Sequence, residues 1–217
     1  MSVTELFDIA DKTEQNDLQL DENGRLRHLL TLQGLDRQHL TDLLDEAEQY
    51  LSDDGEPVVR SAALSGRTVA NLFFEPSTRT RASFDVAARR LGADVLNLDV
   101  NTLSRKKGES ILDTIYTLQA MQIDVMVVRD AQDGVPAYVA RHVNDFVSIL
   151  NACESDVSHH SQGLLDLLTI RRHNGGFDGV TVAIVGDIEH SRVARSAAVG
   201  LVTMGVRELR LISPESL

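Results

Sequence analysis

The stretch FFEPSTRTRASF, Phe73 to Phe84, decides how this sequence is read. It closes a hydrophobic run, RTVANLFF, which Glu75 and Pro76 interrupt. Ser77, Thr78, Arg79, Thr80 and Arg81 then follow in order, inside a chain whose formal net charge is −12. The pattern predicts a strand end, a turn and a helix start. Helix N-termini expose unpaired backbone N–H groups and carry partial positive charge. Parallel sheets bind ligands at the carboxyl ends of their strands. Backbone amides over 75–81, with the hydroxyls of Ser77, Thr78 and Thr80, suit the oxygens of a phosphate. Arg79 can add a bidentate contact. The plainer alternative is that Ser77 only caps a helix and the arginines are surface charge. The stretch is not a Walker loop, because GxxxxGK[ST] is absent. The later GDIEHS, after VTVAIV, lacks the second and third glycines of a dinucleotide fingerprint.

Working outward, the chain alternates. RTVANLFF reads as a buried strand and TRTRASFDVAARRL as a helix stopped by Gly92. ADVLNLDV, DVMVVR and FVSIL read as further strands, separated by helices in ESILDTIYTLQAMQ and near Pro136–Val143, with Pro136 suited to a first turn. GLLDLLTIRRH is a helix, and VTVAIVG, HSRVARSAAVGLVTMG and ELRLIS give strand, helix, strand. Such alternation predicts an α/β fold with a parallel sheet flanked by helices. Before it, DRQHLTDLLDEAEQYL has a helical apolar face, with Asp36 as its N-cap. Residues 1–24 are acidic and without period, which predicts a mobile tail. Asn174-Gly175-Gly176 follows a helix ending in Arg171, Arg172 and His173, and marks a boundary. The expected organisation is a domain over 25–174 and the incomplete beginning of a second α/β domain over 175–217. In that stub the apolar VTVAIV is expected to be left exposed.

Composition narrows the function. The 42% hydrophobic content is enough for a core, while no run of about 18 apolar residues predicts a membrane span. The first residues lack the basic and apolar regions of a signal peptide. The single cysteine, Cys153, excludes an internal disulfide and fits a cytoplasmic protein. Residues 1–56 hold 15 acids and 4 bases, whereas 67–110 hold 8 bases and 5 acids. The acidic bulk argues against nucleic-acid binding, and the local basic stretch fits a small anion instead.

The order FEPSTRTR after a strand resembles the signature of the aspartate/ornithine carbamoyltransferase family. The resemblance runs from about Leu26 to the chain end, through LGADVLNLD (91–99), KGES (107–110), LDT (112–114), VVR (127–129), QGLLDLLTIRRH (162–173) and VAIVGDIEHSRVARS (182–196). Glu75-Pro76 and HSRVARS look like the aspartate branch. The resemblance implies a carbamoyl-phosphate-binding domain over 25–174 and an aspartate-binding domain beginning at 175. It implies transfer of a carbamoyl group from carbamoyl phosphate to the amino group of L-aspartate, a step of pyrimidine biosynthesis, with no metal or organic cofactor. Ser77, Thr78, Arg79 and Thr80 match the carbamoyl-phosphate cup. Arg129 matches a group reaching the phosphate and carbonyl region. His159 matches the histidine that polarises the carbonyl oxygen, Gln162 the glutamine on the carbamoyl amide, and Arg192 an arginine for an aspartate carboxylate. Lys107 matches a lysine on a loop that enters a neighbouring subunit's site. A homotrimer with shared sites is therefore implied, within reach of a larger assembly with dihydroorotase-like or regulatory chains. Judged by type alone, Arg129 could end a strand in an ion pair. Likewise a histidine in SHHSQ is more often an exposed loop residue, Arg192 could be surface charge, and Lys107 reads as solvated loop.

The sequence also departs from the family pattern. His-Pro-Thr-Gln becomes His159-His160-Ser161-Gln162, which is expected to loosen a loop. Leu103 stands where the lysine-bearing loop has a serine, with Ser104 adjacent. Asp130 follows Arg129 in place of a histidine and is expected to repel an anion. Asn-Ala-Gly-Asp-Gly becomes Asn151-Ala152-Cys153-Glu154-Ser155, losing the glycines of a tight turn. Family members are also longer, about twice single-domain size. These departures leave three alternatives open: a catalytically impaired homologue serving as a structural or regulatory subunit, a carbamoyltransferase for another amine, or a simple phosphate-binding module.

Overall fold

The computed structural model describes residues 18–51, 60–98, 110–153 and 158–214. Helix α1 spans Arg37–Glu48. Strand β1 (Thr68–Phe73), helix α2 (Thr78–Arg90) and strand β2 (Asp94–Leu98) follow. Then come α3 (Ile111–Ala120), β3 (Val125–Arg129), α4 (Val135–Ala140) and β4 (Ser148–Asn151). The last elements are α5 (His160–Asn174), β5 (Thr181–Val185), α6 (Arg192–Thr203) and β6 (Glu208–Ile212). Helix α5 starts at His160, three residues before the sequence pattern becomes apolar. The chain divides into two compact units: Leu18–Leu30 with Glu48–Ser155, and Thr31–Ala47 with Asp156–Leu217. By packing, α5 groups with β5, α6 and β6.

The first unit is a four-stranded parallel sheet in the order β2-β1-β3-β4. Strand alternation sends side chains to opposite faces. Ala70, Leu72, Met126, Val128 and Ile149 meet Ile115 and Leu118 of α3 and the buried residues of α4. On the other face Val69, Phe73 and Val127 meet Ala88 and Phe84 of α2. Strands buried on both faces read as near-continuous apolar runs, which is why RTVANLFF and DVMVVR were legible. From β1 the chain crosses to β2 on one side, and from β3 it crosses to β4 on the other. The connections therefore part between β1 and β3, and their carboxyl ends frame the crevice expected at a topological switch point.

The free edge of β4 is covered by residues 28–30. Leu29 N–H donates to the Ile149 carbonyl, and Asn151 N–H donates to the Leu29 carbonyl. The Ile149 amide donates to Nδ1 of His28, which is 1% exposed. Gln19 is fully buried and its Oε1 accepts from Leu30 N–H. The expected mobile tail is thus corrected over 18–24: Gln19 anchors this segment, and Asp21 closes its turn by accepting from the Asn23 and Arg25 amides. Residues 1–17 lie outside the described residues.

In the second unit, β5 and β6 pair in parallel, and Ile184, Leu209 and Leu211 pack on Ile188, Ala194 and Ala198. Helices α5 and α6 approach closely where both carry glycine. A Cβ at Gly200 would lie 2.8 Å from Leu167 Cδ1, and one at Gly163 3.3 Å from the Ser196 backbone. Asp36 accepts from His39 N–H as the cap of α1, as expected. Gly175 ends α5 in the left-handed conformation, φ 75°. VTVAIV is exposed only at alternate positions: Thr181, Ala183 and Val185 face out, with Val185 71% accessible, while Val182 and Ile184 are half-buried and Ile184 packs on the helix.

Burial lowers the His28 pKa from 6.5 to about 4, with the nearby Arg27 charge adding to the effect. The fold therefore holds the ring neutral, and the unfolded chain binds the extra proton first. The stability contributed is complete above pH 6.5 and is lost as pH falls toward 4. Urea midpoints should fall between pH 6.5 and 5, where carboxylates are still ionised, and His28→Asn should flatten that slope. An unchanged slope in the variant would contradict the assignment.

Candidate active site

Residues 75–80 leave β1 at the switch point and enter α2. Ser77 is the N-cap in extended conformation, yet its side chain makes no cap hydrogen bond. Its hydroxyl donates instead to Thr80 Oγ1 at 3.0 Å. The N-terminal amides of α2 are thus left without a side-chain acceptor, and the first turn holds no acidic residue. Ser110 and Ser191, by contrast, cap α3 and α6 with their side chains. Thr78 and Arg79 are exposed, while Ser77 and Thr80 are half-buried. Among the described residues Arg79 has no ion-pair or hydrogen-bond partner. Uncapped amides, two threonines and an uncommitted guanidinium make an anion-receiving end.

Arg129 ends β3 beside this turn. Phe73 is its register partner on β1, and the Phe74 amide donates to the Arg129 carbonyl at 2.8 Å. The residue is 7% exposed. Nη1 donates to the Ala152 carbonyl at 3.2 Å, and Nη2 pairs with Glu75 Oε2 at 3.1 Å. Nε is buried without a hydrogen-bond partner. Glu75 and the Ala152 carbonyl are contacts that sequence reasoning missed as functional. Glu75 was findable, because it lies two residues after Phe73 on the same strand path; the carbonyl of Ala152 carries no sequence signal.

Asp130 is 3% exposed, and its Oδ1 accepts from the Gln132 amide, so it shapes the turn after β3. Its Oδ2 is buried without a partner. Cys153, at the end of β4, is buried and holds φ 81°. Only a few non-glycine residues adopt that conformation, and the family pattern has glycine at this position.

The other expected site residues lie in the second unit. His159 is the N-cap of α5, and its amide donates to Ser196 Oγ at 2.9 Å. Ser196 is one turn beyond Arg192, which opens α6 half-buried. Gln162 Nε2 donates to Asp166 Oδ1 at 2.9 Å, so its amide is engaged along its own helix. The expectation that His160 loosens this loop is corrected: the residue is 1% exposed and begins α5. Lys107, Leu103, Ser104, Glu154 and Ser155 lie outside the described residues.

The family model for the aspartate/ornithine carbamoyltransferase carbamoyl-phosphate-binding domain matches residues 27–172. The chain belongs to the aspartate/ornithine carbamoyltransferase family. It is 33% identical to the catalytic subunit of M. jannaschii aspartate transcarbamoylase, at a TM-score of 0.77, covering 88% of this chain and 62% of that one. Aspartate transcarbamoylase from Trypanosoma cruzi, solved with aspartate and phosphate, matches at 34% identity and TM-score 0.75, over 88% of this chain and 60% of that one. Ornithine carbamoyltransferase from Thermus thermophilus matches at 30% identity and TM-score 0.76, over 88% and 63%. The chain thus spans about three-fifths of the length of these carbamoyltransferases.

Against this family frame, Cys153 is a test of backbone strain. A side chain at φ 81° costs about 1–2 kcal/mol that glycine avoids. Cys153→Gly should be about 1 kcal/mol more stable than Cys153→Ala in urea unfolding. Equal stability of the two variants would show that the strain is absent.

Proposed function

We propose that this chain belongs to an aspartate carbamoyltransferase, which transfers the carbamoyl group of carbamoyl phosphate to L-aspartate, giving N-carbamoyl-L-aspartate and phosphate in pyrimidine biosynthesis. The observation that carries the reading is the uncapped N-terminus of α2, with Ser77, Thr78, Arg79 and Thr80, beside the buried Arg129 at the switch point. In the reaction the aspartate nitrogen bonds to the carbonyl carbon. The carbon–oxygen bond to phosphate breaks, phosphate leaves with the electron pair, and the one proton lost by the nitrogen passes to the departing phosphate. Donors held beforehand where negative charge grows do most of the work in such a step. Arg79 and the hydroxyls take the phosphate, and Arg129 exchanges Glu75 for phosphate and carbonyl oxygens. The roles of His159 on the carbonyl oxygen, Gln162 on the carbamoyl amide and Arg192 on an aspartate carboxylate follow from family register. Gln162 must first release Asp166. Residues 25–174 would supply the carbamoyl-phosphate domain and 175–217 the opening of the aspartate domain. A cytoplasmic homotrimer in which Lys107 reaches a neighbour's site belongs to the same reading, as does association with dihydroorotase-like or regulatory chains.

A second reading, an impaired homologue with a structural or regulatory role, is favoured by specific features. Asp130 adds a buried carboxylate next to Arg129, and Cys153 strains the turn after β4. Calorimetry with carbamoyl phosphate at low salt, without aspartate, separates the two. Saturable binding is expected, weakened roughly 10- to 100-fold by Arg79→Ala, since a charge-assisted hydrogen bond contributes about 1.5–3 kcal/mol. No binding by a demonstrably folded chain would overturn the first reading and favour the second.

A further inference from the structure

Asn71 is out of place by composition. It sits mid-way along β1, between Ala70 and Leu72, and is fully buried. A buried amide is costly unless bonded, so its partner matters. Its Nδ2 donates to Oδ1 of Asn97 at 2.8 Å, and the two asparagines are register partners on adjacent strands. Asn97 Nδ2 in turn donates to Asp85 Oδ1 on α2 at 2.7 Å. Asp85 is also held by Arg89, whose Nε lies 3.1 Å from Oδ2. A continuous path of amide, amide and carboxylate therefore runs from the middle of the sheet to α2.

We propose that Asn71, Asn97 and Asp85 form a positioning relay that fixes the height and rotation of α2 on the sheet, and thereby where Ser77, Thr78, Arg79 and Thr80 present themselves to phosphate. The proposal rests on the reading of that turn as the phosphate site. Apolar packing of Phe84 and Ala88 on Val69 and Phe73 holds α2 against the sheet, but burial is non-directional and tolerates sliding. Hydrogen bonds of 2.7 and 2.8 Å do not. Arg129 is fixed separately on β3, so a shift of α2 changes the distance between the two halves of the anion site. None of the three relay residues belongs to the turn assigned to the anion, Ser77 to Thr80.

The test compares Asn97→Ala, Asp85→Ala and Asp85→Asn, the last keeping an acceptor for Asn97. Inorganic phosphate binding by calorimetry should weaken about tenfold in both alanine variants, within the range that misplacement by an ångström can cost. Asp85→Asn should restore most of it with a urea midpoint close to that of the unaltered chain, whereas Asn97→Ala, which strands the buried Asn71 amide, should also lower its midpoint. Affinity unchanged within twofold, or lost only in proportion to stability, would overturn the relay. If the unaltered chain binds neither inorganic phosphate nor carbamoyl phosphate, the functional reading fails, and the relay is judged separately by hydrogen exchange. The Arg81 amide, bonded to the Ser77 carbonyl at 3.1 Å, should then exchange several-fold faster in Asn97→Ala. Unchanged exchange there would overturn the relay as well.

Discussion

A guanidinium buried at the end of a parallel strand must find its partners on the neighbouring strands, and Arg129 organises the first unit accordingly. Desolvating such an ion costs several kcal/mol, on the order of the whole contribution of a large core side chain, unless charge and hydrogen bonds answer it. Glu75 is available because β1 is next to β3, with Phe73 opposite Arg129. The Ala152 carbonyl is available because β4 is next to β3 on the other side. The same strand order forces the crossovers apart and leaves the crevice open between β1 and β3. The pairing of Arg129 and the opening of the site therefore have one topological cause. Nε without a partner and a carboxylate that can be exchanged make Arg129 a group whose bonding an anion can complete.

The second unit depends on close helix packing more than on its sheet. Gly163 and Gly200 let α5 and α6 approach, and Ser196 on α6 takes the amide of His159 at the start of α5. The two-stranded sheet beside them exposes Val185 and Ile212, at 71% and 49%.

Most of the architecture was legible because its strands are apolar on both faces and its helices end at glycine or begin at caps. Asp36, Gly92 and Gly175 behave as their chemistry predicts. The start of α5 was not legible, because SHHSQ has no periodic apolar face and His160 is buried by tertiary packing. Residues 18–24 look like an acidic tail, yet the buried Gln19 pins them: its side chain accepts from Leu30 N–H and its carbonyl from the Arg27 and His28 amides, and such bonds leave no pattern in composition. The turn of hydroxyls and arginines after β1 was readable in sequence as a strand end and helix start. What the sequence could not show was that Ser77 bonds Thr80 and leaves the amides uncapped, or that Arg129 already has Glu75.

An anion is predicted to settle at the N-terminus of α2 with Arg129 as its second holder. The most direct measurement is a titration of the isotope-labelled chain with inorganic phosphate, followed by backbone amide shifts and the Arg129 Nε signal. Saturating shifts concentrated at Thr78, Arg79 and Thr80, together with a shift of Arg129 Nε, are the predicted result. Shifts absent there, or spread equally over the capped N-termini of α3 and α6, would contradict it.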